Sequence, residues 1–89
     1  MGITGYEREA KLIPGRKYRV DFYFPAAMLC VEVEGGTWTG GSHATGSGIE
    51  TDCEKSALLA IGGYRLMRVT GNQVKDGRAV AWIGSALVA

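Results

Sequence analysis

The sequence predicts a small α/β domain in which a mixed sheet of three or more strands is combined with two helices, in the order β-β-α-β-α. Two observations predict this class. Segments rich in aromatic and β-branched residues alternate with segments whose apolar residues recur at helical spacing. The chain has 89 residues, 46% of them hydrophobic, which is enough for one core but too little for two domains or a large barrel. We expect one domain over residues 1–89, with its core in residues 16–89.

The first half of the chain contains a predicted pair of strands. Residues 17–24 are rich in aromatic and β-branched residues and predict a strand, which ends at Pro25. Residues 28–34 predict the second strand. Residues 35–48 are rich in glycine and predict a loop.

The second half predicts a helix, a strand and a helix. Residues 49–61 have helical spacing, and the predicted buried stripe consists of Ile49, Cys53, Ala57, Ala60 and Ile61. The following Gly62-Gly63 is typical of a helix C-terminus, and residues 64–69 predict the third strand. Asn72 is the predicted cap of a last helix that extends to about residue 87.

The composition excludes several classes of protein. No apolar run has the length that crosses a bilayer, and the first residues lack the apolar core of a signal peptide. The two cysteines, Cys30 and Cys53, are too few for a disulfide scaffold, and with His43 they lack the spacing of a zinc site. We expect a soluble cytoplasmic protein with no membrane partner.

The net charge of +1 hides an uneven distribution. Residues 21–54 contain no lysine or arginine, whereas both flanking segments are basic. The carboxylates of this middle segment are Asp21, Glu32, Glu34, Glu50, Asp52 and Glu54. Two interpretations stay open. The carboxylates form a cation site and the basic flanks bind a polyanion such as nucleic acid, or the carboxylates form ion pairs with lysines and arginines from the two ends.

Side-chain alternation predicts the pairing of the first two strands. The expected apolar faces are Tyr18, Val20, Phe22 and Phe24 in the first strand and Leu29, Val31 and Val33 in the second. These faces match only when Asp21 lies opposite Glu32 and Arg19 lies opposite Glu34, a register that needs a link of two or four residues.

This register brings three carboxylates together on the other face of the sheet, those of Asp21, Glu32 and Glu34. Like charges on opposed strand positions repel, so something must offset them. The candidates are a divalent cation, a raised pKa, or the side chains of Arg19 and Lys55. Mg²⁺ prefers oxygen ligands and is often bound by one or two carboxylates together with water and phosphate.

The order of these residues, an aspartate followed by Glu-x-Glu across a hairpin, resembles the PD-(D/E)xK nuclease superfamily in an ExE variant. The motifs resemble more closely small phage and prophage endonuclease-like proteins, which are similar in pattern to very-short-patch repair endonucleases and VRR-type nuclease domains. The matching segments are residues 16–22, 31–38, 46–48, 52–55 and 63–70, so the resemblance covers the chain from Arg16 to its end. It implies a restriction-endonuclease-like core and a metal-dependent nuclease activity.

The resemblance also implies roles for individual residues. Asp21 is the metal-bridging aspartate, Glu32 the second metal ligand, and the backbone carbonyl of Val33 a further ligand for Mg²⁺ or Mn²⁺. Glu34 stands where the superfamily usually has lysine, and Lys55 on the following helix is its natural substitute. Glu34 is then left to bind a second ion or orient a water molecule. Glu9 is the candidate for the additional carboxylate that many members carry on an N-terminal helix, which is short or missing here.

Nucleic-acid binding would use the basic and aromatic residues around this site. The predicted set is Arg16, Lys17, Arg19, Trp38, His43, Arg65 and Arg68. Each has a plain structural alternative: an ion pair for the arginines, a loop plug for Trp38, a solvated loop residue for His43. Because a small core favours oligomers, we also expect a homodimer.

These observations together predict a divalent-metal-dependent DNA endonuclease, with DNA as its partner. If the gene is carried by a phage or prophage, the enzyme acts in the cytoplasm of the bacterial host. Two alternatives stay open: a catalytically silent nuclease-fold module that binds DNA or a protein, and a structural phage component without a nucleic-acid role.

Overall fold

The computed structural model describes residues 3–34 and 46–89. Its centre is a four-stranded mixed sheet in the order β1-β2-β3-β4. The strands are β1 (Glu7–Ala10), β2 (Val20–Phe24), β3 (Leu29–Glu34) and β4 (Arg65–Thr70). β1 and β3 both run antiparallel to β2, whereas β4 runs parallel to β3.

The helices follow the strands in chain order. They are α1 (Gly46–Ile61), which connects the parallel strands β3 and β4, then α2 (Gly71–Lys75) and α3 (Arg78–Leu87). The α/β class and the mixed sheet are thus confirmed. In the described residues, no helix is long and apolar enough to cross a bilayer.

Two features of the predicted element order were wrong. A first strand, β1, precedes the predicted set; its sequence Glu-Arg-Glu-Ala has no apolar alternation that could have revealed it. The last helix is two helices, because Gly77 adopts a left-handed φ of 88° between them. The N-cap of α2 is Thr70 rather than Asn72, and Thr70 forms a capping box with Gln73.

The predicted register between the first two long strands is confirmed. β2 and β3 pair Phe22 with Val31 and Phe24 with Leu29, and the same register continued by one residue places Asp21 opposite Glu32. The link has four residues, the three-residue 3₁₀ helix Pro25–Ala27 followed by Met28. Met28 closes the turn in a left-handed conformation, with φ 49°, and its amide donates to the Pro25 carbonyl oxygen at 3.2 Å.

The sheet has an apolar layer on each face. One face packs Phe24, Leu29, Val31 and Val69 against Ala79 and Ile83 of α3. The other face packs Val20 and Cys30 against Leu59 of α1, which is 1% exposed. Val20 therefore lies on the opposite face from Phe24, contrary to the predicted alternation.

The predicted buried stripe of α1 is wrong. Ile49 is 54% exposed and Ile61 is 81% exposed, and the small residues of the stripe are exposed as well. Beside the buried Leu59, the side of α1 that faces the sheet carries the half-buried polar residues Asp52, Lys55 and Ser56. α1 therefore packs its polar side, rather than its predicted apolar stripe, against the carboxylates of β3.

Candidate functional site

One row of charged residues crosses all four strands. The register between β1 and β2, continued through a gap in their pairing, places Glu9 opposite Asp21. The β2–β3 register, continued one residue beyond its last pair, Phe22 with Val31, likewise places Asp21 opposite Glu32, and Glu32 is paired with Arg68 of β4. The sheet thus has three carboxylates and one guanidinium at the same level, on four consecutive strands.

The ladder between β1 and β2 is interrupted at Asp21. Glu9 and Asp21 are not paired there, and Glu9 has a left-handed backbone conformation with φ 50°. On the other side, the Asp21 carboxylate accepts a hydrogen bond from the backbone amide of Val33 at 2.8 Å. An exposed carboxylate is therefore held between β2 and β3. The amide and carbonyl of one strand residue point to the same neighbouring strand, so the Val33 carbonyl faces this opening as well.

Lys55 is the residue that joins α1 to this row. Its ammonium group donates hydrogen bonds to the Glu32 carboxylate and to the backbone carbonyl of Arg19. The Lys55 and Glu32 side chains are each only 16% exposed, so this ion pair is largely shielded from water. Of the two sequence-based candidates, Arg19 and Lys55, it is thus Lys55 whose side chain contacts one of the three carboxylates.

Glu34 is held by a second cation. Arg68 Nε donates to Glu34 Oε2 at 3.0 Å, and its Nη2 lies 3.6 Å from Asp52 Oδ2 on α1. The hydrogen bond to Glu34 raises the pKa of Arg68 above its ordinary value, so this guanidinium stays charged. Arg68 therefore links β3 to α1, and its charge is shared between two carboxylates.

The outer edge of the site is formed by β1 and the residues before β2. Arg19 pairs with Glu9 at 3.1 Å, and both side chains are more than half exposed. Glu54 of α1 accepts a hydrogen bond from the Tyr18 hydroxyl and lies 4.0 Å from the Arg16 guanidinium. The hydrogen bond to Glu54 raises the pKa of Tyr18. Sequence reasoning gave Tyr18 and Glu54 no role at the site, because only the placement of α1 brings them together.

The remaining predicted contacts with nucleic acid have different surroundings. Lys17 is exposed, and in the described part of the chain no ion pair involves it. Arg65 donates to the Ala86 carbonyl of α3 at 3.2 Å, which turns it toward the opposite sheet face from Arg68. Trp38 and His43 lie outside the described residues.

The three predicted metal-binding carboxylates do not form one cluster. Among residues 3–34 and 46–89, no group of three or more histidine, cysteine or acidic side chains has the geometry to hold a metal ion. The Asp21 carboxylate accepts from a backbone amide, whereas those of Glu32 and Glu34 pair with Lys55 and Arg68. Of the two interpretations of the charge pattern, ion pairing with cations from both ends accounts for most of the acidic middle segment.

Cys30 of β3 lies on the sheet face that α1 covers, two residues before Glu32. It is completely buried next to Leu59, and burial, with the nearby Glu32 charge, raises its pKa to about 11. Cys53 is exposed on α1. Cys30 is therefore a protonated core residue at neutral pH rather than a nucleophile.

Comparisons with known proteins give no further identification. No protein-family model, no curated protein and no solved structure matches this chain at a significant level.

Proposed function

We propose that this protein is a divalent-metal-dependent endonuclease that hydrolyses phosphodiester bonds in DNA, with a core of the PD-(D/E)xK type in its ExE variant. The observation that carries the proposal is the contact of Lys55 with Glu32. A lysine supplied by the helix after the hairpin reaches the carboxylate to which the resemblance assigns metal binding. That replaces the lysine missing at position 34.

The donor set at the opening of β2 and β3 suits a hard cation. It consists of the carboxylates of Asp21 and Glu32 and the carbonyl of Val33, all oxygen ligands of the kind that Mg²⁺ and Mn²⁺ prefer. One oxygen of the Asp21 carboxylate accepts from the Val33 amide, and one oxygen of Glu32 is bound to Lys55. The second oxygen of each carboxylate is left to act as a ligand. A bound ion would lower the pKa of a water ligand and offset charge on the phosphate.

The chain's own residues would supply the rest of the chemistry. The Lys55 ammonium would stabilise negative charge that develops on the phosphate group. Lys17 is exposed close to Arg16 and Arg19 in the chain and would bind a flanking phosphate, which positions the strand without reading its sequence. Arg68 is occupied by two carboxylates, so we assign it to holding Glu34 rather than to binding DNA.

The second candidate function is a catalytically silent module of the same fold that binds DNA or a protein. It is favoured by the ion pairs of Glu32 and Glu34, which neutralise these carboxylates without a metal. The two functions differ in what Asp21 and Glu32 do. An enzyme needs both for turnover, whereas a binding module needs neither for affinity.

Cleavage of supercoiled plasmid and of a four-way junction separates the two. Each substrate is incubated with Mg²⁺, Mn²⁺ or EDTA and with the parent, Asp21→Asn, Glu32→Gln or Glu50→Gln. Glu50 is an exposed carboxylate of α1, with no ion pair among the described residues, and serves as the matched control. We expect metal-dependent cutting by the parent and the control and none by the other two variants. Salt-dependent DNA binding by all four proteins without cutting would instead establish the binding module.

A further inference from the structure

We propose that α1 and the edge strand β4 form a two-fold interface through which two copies of this chain associate. The starting observation is the side of α1 that borders the outer edge of β4, where Ile49, Cys53 and Ala60 are exposed and Ser56 is half-buried. Ile49, Cys53, Ser56 and Ala60 recur at spacings of four, three and four residues, which is the spacing of a helix–helix seam. Ile49 is 54% exposed, and the seam contains no charged residue.

The seam is symmetric about its own centre. In an antiparallel pair of α1 helices centred between residues 54 and 55, Ile49 meets Ala60 of the other copy and Cys53 meets Ser56. A two-fold interface requires a patch that is complementary to itself, and this seam places its one large residue against a small one at both ends. The seam is therefore complementary to a second copy of the chain.

The seam also borders the edge of the sheet. Its residues line one groove together with Asp52 and Ala57 of α1 and Arg68 of β4. Within the described residues no strand pairs with the outer edge of β4. Asp52, beside the centre of the seam, contacts Arg68 in the middle of β4, so the helix and the strand have their midpoints at the same level.

One symmetry axis therefore serves both elements. Because α1 connects two parallel strands, it runs antiparallel to β4. A two-fold axis perpendicular to the sheet, beside Arg68, makes the two copies of α1 antiparallel and the two copies of β4 antiparallel at once. The guanidinium of each Arg68 is already paired with Glu34 and Asp52, so the approach of two copies leaves no unpaired cation at the axis.

The α1 seam alone is too small for an interface, so the proposed contact surface includes both α1 and β4. The seam is about 17 Å long and about 10 Å wide, roughly 170 Å² in projection. That is far below the roughly 800 Å² per partner of a standard interface. The six residues of β4 add an edge of about 20 Å, slightly longer than the seam. Even so the interface is small, so we expect a weak dimer that forms at high concentration.

The opposite edge of the sheet is protected. β1 carries Glu7, Arg8 and Glu9 in succession, and its backbone is distorted at Glu9 by the left-handed φ of 50°. Charge and backbone distortion are both devices that prevent pairing at a strand edge. β4 carries Arg65 and Arg68 but has no such backbone distortion, which makes it the edge more accessible to a second copy.

Sedimentation equilibrium of the full chain, up to millimolar concentration, tests the interface. We expect a reversible monomer–dimer equilibrium that Ala60→Glu weakens at least tenfold. Ala81→Glu, at an exposed alanine of α3, is the matched control and should leave the equilibrium unchanged. Circular dichroism checks that both variants are folded. A parent that is monomeric at every concentration, or an equal effect of the two variants, would overturn the proposal.

Disulfide trapping tests the register. The parent, whose exposed thiol is Cys53, is mixed under mild oxidation with the variant Cys53→Ser/Ser56→Cys, which carries a tag of different mass. Facing positions across the axis have no offset along the helices, so we expect the mixed disulfide dimer to form faster than either homodimer. Equal rates for all three dimers would refute the predicted register.

Discussion

Replacing Lys55 with methionine tests the ion pair at the centre of the candidate site. Lys55 and Glu32 are each 16% exposed, and the Lys55 ammonium also donates to the Arg19 carbonyl. Removing one partner of a fully buried pair costs about 3–5 kcal/mol, because the other charge is left without compensation. Water still reaches this pair in part, so we expect Lys55→Met to lower the free energy of unfolding by about 3 kcal/mol. A domain of this length has roughly 4–13 kcal/mol, so the variant should stay folded.

A double-mutant cycle isolates the pair itself. With both charges removed, in Glu32→Gln/Lys55→Met, no unpaired charge remains, and we expect recovery of about 2 kcal/mol relative to the sum of the single variants. Arg19→Gln is the control, since it breaks the exposed pair with Glu9 and should cost less than about 0.5 kcal/mol. Urea unfolding followed by circular dichroism gives each value. A cost below about 1 kcal/mol for Lys55→Met, or additive single variants, would refute the reasoning.

Two further predictions concern the core and the capping of α2. Because burial raises the pKa of Cys30 to about 11, its thiol stays protonated at pH 8. A thiol-specific reagent should therefore modify Cys53 alone in the folded protein and both cysteines in denaturant. Rapid modification of both cysteines in the folded protein would contradict this prediction. Thr70→Ala removes one half of the capping box with Gln73 and should lower the free energy of unfolding by about 1 kcal/mol. Asn72 is the cap predicted from the sequence and serves as the control. Asn72→Ala should change the free energy of unfolding by less than half as much.

The hairpin could be predicted from sequence because burial constrains it strongly. A shift of one residue would place Glu32 rather than Val31 opposite Phe22, so only one register satisfies the apolar face. The same reasoning failed at Val20, which changes face where the sheet opens around Asp21. Alternation assumes a continuous ladder, and no residue type around Glu9 indicates the backbone distortion that interrupts it.

The orientation of α1 could not be predicted from its own periodicity. An apolar stripe normally faces the core, but β3 presents Glu32 and Glu34 on the face that α1 covers. Burying Ile49 there would have left these carboxylates without partners, whereas burying Lys55 pairs one of them. The energetic cost of unpaired charge therefore outweighs the exposure of Ile49 and Ile61. The orientation of α1 thus depends on polar residues of two elements, which the periodicity of one helix does not contain.

The central claim is that Asp21, Glu32 and the Val33 carbonyl form a divalent-metal site. Calorimetric titration of the parent with Mn²⁺ tests it most directly, beside Asp21→Asn and the control Glu50→Gln. We predict one ion bound per chain for the parent and the control, and no measurable binding for Asp21→Asn. Equal binding by all three proteins, or none by the parent, would contradict the metal site and with it the proposed nuclease activity.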